Sequence, residues 1–150
     1  MLSLALLPGL SSAAITLTPT SSGISLNTDI ELLEDSRAQL TIADMADPTI
    51  QSRFKPANGR ASVGQCLNPW WIKVTLQRTS DAPSQWWLEV SSVTQLDLRL
   101  YLPEQNGRWQ ERQSGELVSH KEGRDHEFRH MLFKLSVVVL LMFGFGYALV

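Results

Sequence analysis

Trp71, Trp87 and Tyr101 sit on three successive segments, with Lys73, Glu89, Asp97 and Arg99 interleaved among them. Flat aromatic faces beside hydrogen-bonding groups suit a sugar: the rings meet its apolar C–H faces and the polar groups meet its hydroxyls. The expected ligand-binding surface is therefore Trp71, Trp87, Tyr101, Lys73, Glu89 and Arg99. A competing reading makes the same rings a second packing layer, covered by the N-terminal segment or by the loop over residues 56–68. Tryptophan is more often structural than ligand-binding, which favours that reading for any single ring.

Other chemistry is weaker. Glu89 and Asp97 are the carboxylates that a glycosidase face would need, yet each has basic neighbours in the strand alternation, so surface ion pairs are the commoner outcome. His126 and His130 are spaced to share a metal only on a helix, whereas their segment reads as loop running into strand. His120 completes the histidines, and all three are expected to be solvated. Cys66 is the only cysteine, which rules out an intrachain disulfide and a cysteine metal cluster. There is no Gly-x-Ser-x-Gly motif and no nucleotide loop. No catalytic residue, metal or cofactor is expected, and the chain is not expected to be an enzyme. A net charge of -2, from 13 Lys and Arg against 15 Asp and Glu, gives no electrostatic footprint for nucleic acid.

The elements that must position the aromatic set are three strands, over 70–77, 86–90 and 96–102. In each, apolar residues recur at every second position, so one face is dry and the other carries the aromatic and charged groups. Trp70, Ile72, Val74 and Leu76 share the dry face of the first strand; Trp86, Leu88 and Val90 that of the second; Leu96, Leu98, Leu100 and Leu102 that of the third. The polar loop over 78–83 has hairpin length, and pairing Leu76 with Trp86 would set Lys73 opposite Glu89. Short strands are also expected over 15–18, 24–26, 30–33 and 128–135, with a polar edge-like strand over 108–113 carrying Trp109. Thr41-Ile-Ala-Asp44 has the form of a helix start, and Pro48 keeps that helix brief. Phe54 is a candidate buried anchor. Many short strands between turn signals predict an all-β antiparallel sandwich, jelly-roll-like.

The two ends differ from this pattern. Residues 1–10 are apolar and are followed by Ser11-Ser12-Ala13-Ala14, which suits a signal peptide cleaved after Ala14. No Lys or Arg precedes the apolar run, and a buried N-terminal strand or helix is the alternative. Residues 136–150 form an uncharged apolar tail. They are expected to be a membrane segment, or the first part of one, with a core strand over 137–141 as the alternative. The sandwich would then occupy 15–135 and lack its last strand or strands, which would leave an unpaired edge.

Several pieces occur in an order that matches a known family: LLEDSRAQLTIADM, PWWIKVTLQRTSDAP, WWLEV, LDLRLYLPEQNGRW, RQSGEL and FRHMLFKL. Over about residues 31–135 the chain resembles the periplasmic domain of bacterial seven-transmembrane receptors with diverse intracellular signalling modules, specifically the second of their two extracellular domain types. The resemblance implies a jelly-roll-like sensor domain in the periplasm, attached to the inner membrane, that takes a carbohydrate or another small ligand. In the family such a domain precedes membrane helices and an output module such as a diguanylate cyclase or a histidine kinase. The sequence departs from the family where at least one further strand should follow residue 135, since the apolar run stands there instead, and no output module follows it. The alternative function is an anchored or secreted carbohydrate-binding module without a signalling role.

Overall fold

The computed structural model describes residues 14–59, 66–90, 95–104, 106–114, 131–136 and 139–148. Among these residues nine strands follow in chain order: β1 (Ile15–Leu17), β2 (Glu31–Glu34), β3 (Lys55–Pro56), β4 (Cys66–Arg78), β5 (Gln85–Val90), β6 (Gln95–Pro103), β7 (Trp109–Ser114), β8 (Met131–Ser136) and β9 (Val139–Ala148). A 3-10 helix, Ile42–Ala46, and one turn of α-helix, α1 (Pro48–Gln51), lie between β2 and β3. Seven strands make one sheet in the order β3-β2-β4-β9-β6-β7, with β1 running parallel to the end of β4; β5 and β8 make a second, antiparallel pair. This is the expected all-β sandwich.

Strict alternation on β4 and β6 gives the large sheet two distinct faces. On one face Val74, Leu76, Leu98, Leu100 and Leu102 meet Phe133 and Leu135 of the two-stranded sheet, and Trp86, Leu88 and Val90 of β5 close over them. Leu135 is 1% exposed, so the second sheet is a true lid on this core despite having only two strands. On the opposite face Leu33, Trp71 and Tyr101 pack against Met45 and Phe54 from the helical segment. The protein thus has three layers: two-stranded sheet, seven-stranded sheet and a short helical cover.

The expected hairpin between β4 and β5 does not form. Both edges of β4 are already taken, by β2 and β1 on one side and by β9 on the other. The connection carries the chain over to the second sheet instead. The Thr79 amide donates to the Leu17 carbonyl, and Arg78 Nη1 donates to the Ala82 carbonyl at 3.0 Å, which fixes the turn. Lys73 therefore lies across from Glu31 of β2 and not from Glu89. The segment expected as a strand over 24–26 is irregular. The polar strand carrying Trp109 is β7, at the edge of the large sheet, as expected.

The apolar run after residue 135 differs most from expectation. Residues 139–148 are β9, a central strand that pairs antiparallel with β4 along one edge and with β6 along the other. The strand expected to be missing is this one, and the sheet continues past 135 to Ala148. A strand paired on both edges has its backbone donors and acceptors satisfied inside the sheet, so an uncharged apolar run can form it as well as a helix can. Gly144 falls opposite Ile72 and Leu100, and Gly146 opposite Trp70 and Leu98. Among the described residues no helix is long and apolar enough to cross a membrane. The expected signal peptide lies outside the described residues except for Ala14.

Because the backbone ladder among the described residues runs from β4 to β6 through β9, a chain ended at Ser136 should lose the sheet and not merely one strand. The expected result is a urea denaturation curve, followed by tryptophan fluorescence, without the cooperative transition of the full chain. A cooperative transition of equal midpoint in the shortened chain would contradict the pairing.

A candidate ligand cleft on the covered face of the large sheet

The cover begins at Asp35. Its carbonyl accepts the Ala38 amide, and its buried carboxylate accepts the amides of Gln39 at 3.1 Å and Leu40 at 2.8 Å. Three bonds from one residue reverse the chain, with Ala38 held at a φ of 51°. The amide of Asp35 itself is tied to the Pro69 carbonyl at the head of β4, so the turn is fixed to the sheet. Leu40 and Ile42 then come down against Trp71 and Tyr101.

The next turn is held by Thr41 and Asp44. The Asp44 carboxylate accepts from both the amide and the hydroxyl of Thr41 at 2.7 Å. These bonds hold the Asp44 carboxyl below the usual carboxylate range, the Thr41 hydroxyl contributing most. Asp47 caps α1 by accepting the Thr49 amide at 2.7 Å, with Pro48 in the first helical position. Gln51 links the two helical pieces by donating to the Met45 carbonyl at 2.6 Å.

Lys73 anchors the far end of the cover. Its Nζ lies 2.7 Å from Glu31 Oε2 as an ion pair, donates to Gln51 Oε1 at 3.2 Å and sits 4.8 Å from the centre of the Phe54 ring. The two ion-pair side chains are 13% and 7% exposed, so the charge is paired away from water. One side chain of β4 thereby holds β2, α1 and the Phe54 anchor together.

Between the cover and the sheet is a cleft of about 350 Å³, lined by Leu40, Thr41, Ile42, Trp71, Asp97, Arg99 and Tyr101. Its floor is the stacked pair Trp71 and Tyr101, with ring centres 5.8 Å apart and planes inclined by 26°. Its polar side is an ion pair: Arg99 Nε and Nη2 each lie 3.1 Å from Asp97 Oδ2, while Gln113 Nε2 donates to Asp97 Oδ1 at 2.8 Å. Glu111 Oε1 lies 3.6 Å from Arg99 Nη1. The bond to Asp97 pushes the Arg99 guanidinium further up, so it stays charged. Burial first, then the Glu111 carboxylate, push the Tyr101 phenol up, so it stays neutral at ordinary pH.

The six expected binding residues fall into three places. Trp71, Tyr101 and Arg99 line the cleft together. Lys73 shares their face of the sheet but is committed to Glu31 and Gln51. Trp87 and Glu89 lie on β5, whose outward positions are exposed, Trp87 to 66%. Trp87 and Trp71 therefore belong to different layers and cannot form one platform. For the same reason Glu89 and Asp97 do not face each other as a carboxylate pair. The packing-layer reading holds for Trp71, which is 1% exposed; among the described residues its cover is the 35–54 segment, and residues 60–65 of the loop over 56–68 lie outside them. Leu40, Thr41 and Ile42 were not among the expected residues; the one available signal was the Thr-x-x-Asp helix start. The three histidines lie outside the described residues. Among the described residues no group of three or more His, Cys, Asp or Glu could hold a metal ion.

Two measurements test this arrangement. Lys73→Met or Glu31→Gln alone should destabilise the protein by about 3–5 kcal/mol, because the first leaves the Glu31 carboxylate and the second the Lys73 ammonium buried without its counter-charge, whereas replacing both with apolar residues should cost much less. A double-mutant cycle in urea reads the coupling; additive losses would show that the pair is not coupled. For Asp44 the folded state favours the ionised form. Its contribution is therefore complete above the pKa of the unfolded carboxyl and is lost as pH falls through the lower, folded value. Asp44→Asn should remove that part of the acid-side slope of the urea midpoint, and an unchanged slope would argue against the Thr41 bonds.

A family model described as 7TMR-DISM extracellular 2 matches residues 27–140. The match takes in β2 through β8, the helical cover and every residue lining the cleft, and it ends just inside β9. A search of curated proteins found no match. The family is one of receptor sensor domains and not of catalysts, and its domains lie outside the cytoplasm. With that match covering well over half of its length, the chain belongs to the 7TMR-DISM extracellular 2 family, as an extracellular sensor domain of a membrane receptor.

Proposed function

We propose that the domain senses a small ligand, a carbohydrate, in the cleft between the Trp71–Tyr101 floor and the Leu40–Ile42 wall. It would do so in the periplasm, attached to the inner membrane as part of a receptor, with no role for nucleic acid. The observation that carries this reading is the pairing of an aromatic floor with Asp97 and Arg99 in one concavity. The buried ring pair gives the cleft an apolar base, while the guanidinium donates to hydroxyls and the carboxylate accepts from them. A cleft of about 350 Å³ is at the small end of ligand pockets and suits one or two sugar rings. The family supports the receptor setting.

Ligand contact with Leu40 and Thr41 would reach the cover directly. The cover is tied to β2 and β4 by Asp35 at one end and by Lys73 at the other. A ligand that tightens one wall of the cleft thus acts on a segment bonded to the sheet at both ends.

A second reading rests on Trp87. An indole exposed to 66% on the outer side of a two-stranded sheet is a flat contact of the kind a carbohydrate-binding module uses without signalling. The two readings predict opposite variants. Arg99→Ala should weaken binding of a responsive oligosaccharide by about tenfold, the loss of a charge-assisted hydrogen bond, and Trp87→Ala should leave it unchanged. Titration calorimetry of the full chain against neutral oligosaccharides checks this. Loss of binding in Trp87→Ala, with Arg99→Ala unaffected, would move the site to the second sheet.

A further inference from the structure

We propose that the cleft selects against negative charge, so that its ligand is an uncharged saccharide and not a uronic or phosphorylated one, with Asp97 as the residue that sets this preference. The inference deepens the reading of the cleft as a ligand site and rests on it. Arg99 is a lining cation, and a lone arginine in a sugar cleft would ordinarily invite a carboxylate or a phosphate. Here its binding edges are already used. Nε and Nη2 form the edge that a carboxylate grips with two parallel bonds, and both lie 3.1 Å from Asp97 Oδ2. Nη1 faces Glu111 at 3.6 Å. What remains for a ligand is single, directional N–H donation, which suits a hydroxyl.

Asp97 cannot swing away to free that edge. It is 6% exposed, and its other oxygen accepts from Gln113 of the neighbouring strand at 2.8 Å. Lys73, the nearby cation on the same face, is neutralised by Glu31 at 2.7 Å.

The ionisable groups bonded to the walls are acidic as well. Leu40 donates its amide to the Asp35 carboxylate, and Thr41 donates its amide and hydroxyl to the Asp44 carboxylate. Counting Asp97 itself and Glu111, the described groups in or bonded to the lining are four carboxylates against one guanidinium. An anion entering this cleft would shed water without gaining a free cation, which is unfavourable in a site with an apolar floor.

The test uses the full chain and neutral disaccharides, each paired with the same disaccharide carrying carboxylates in place of its primary alcohols. For every pair that binds, the neutral form should be tighter by at least about fivefold, the order of one screened like-charge contact. Glu111→Gln, a change at the exposed rim, should raise the ratio of acidic to neutral affinity by about fivefold, and Asp97→Asn should raise it further. A purely structural role for these residues would weaken both forms alike and leave the ratio fixed. Acidic forms that bind as well as or better than neutral ones, or a ratio unmoved in Glu111→Gln, would overturn charge selection while leaving the cleft in place. Failure of every pair to bind, or binding indifferent to Arg99→Ala, would instead remove the cleft as the site, and this inference with it.

Discussion

β4 must satisfy four neighbours at once. Its two edges pair with β2 and β1 on one side and with β9 on the other, and its two faces feed separate apolar clusters. Only a strand with strict period-two alternation can do this, because every side chain is assigned to a face by its position alone. A slip of one residue would bury Lys73 in the aliphatic core and turn Val74 toward Glu31. The register is therefore specified by chemistry on both faces, which is stronger than the one-sided specification of a half-exposed sheet.

The second face explains how a polar pair comes to lie inside. Once Trp71, Tyr101 and Leu33 make an apolar patch on the outer side of the sheet, something must cover it. The cover is too short in helix to be stable alone: five residues of 3-10 helix and four of α-helix. It is held instead by tertiary bonds at each end. Asp35 turns it and fastens it to Pro69, and Lys73 receives it through Gln51 and Phe54. The cleft is the gap that remains where Leu40 and Ile42 meet the aromatic pair without filling the space beside Arg99.

Much of the fold was legible because alternation is a local signal. β4, β5 and β6 and the split of Trp70 from Trp71 follow from residue types alone, and so does the polar edge strand with Trp109. Pairing was less legible. Lys73 has two acidic candidates, Glu31 and Glu89, and nothing local distinguishes a hairpin from a crossover when the loop is short. The tail was the hardest part. A membrane segment and a central strand paired on both edges can share the same composition, since each has its backbone donors and acceptors satisfied. At the site, the floor and the arginine were found from the alternation. The wall was not, because Leu40 and Ile42 reach the floor only through the three bonds of Asp35.

The place of β9 has a consequence for how the molecule is made. It is the last of the described strands in chain order, yet it lies between β4 and β6, which share no bonds of their own. During synthesis and export the earlier strands emerge with long open edges and an apolar sheet half that has nothing to close on. Closure needs a distant pairing, Thr75 with Leu141 and Arg99 with Phe145, and non-local pairing of this kind slows folding in general. Until that insertion, the nascent domain offers other chains the very edge that β9 will occupy. Its passage to the folded state is therefore favoured by keeping it apart from its own copies until β9 is in place.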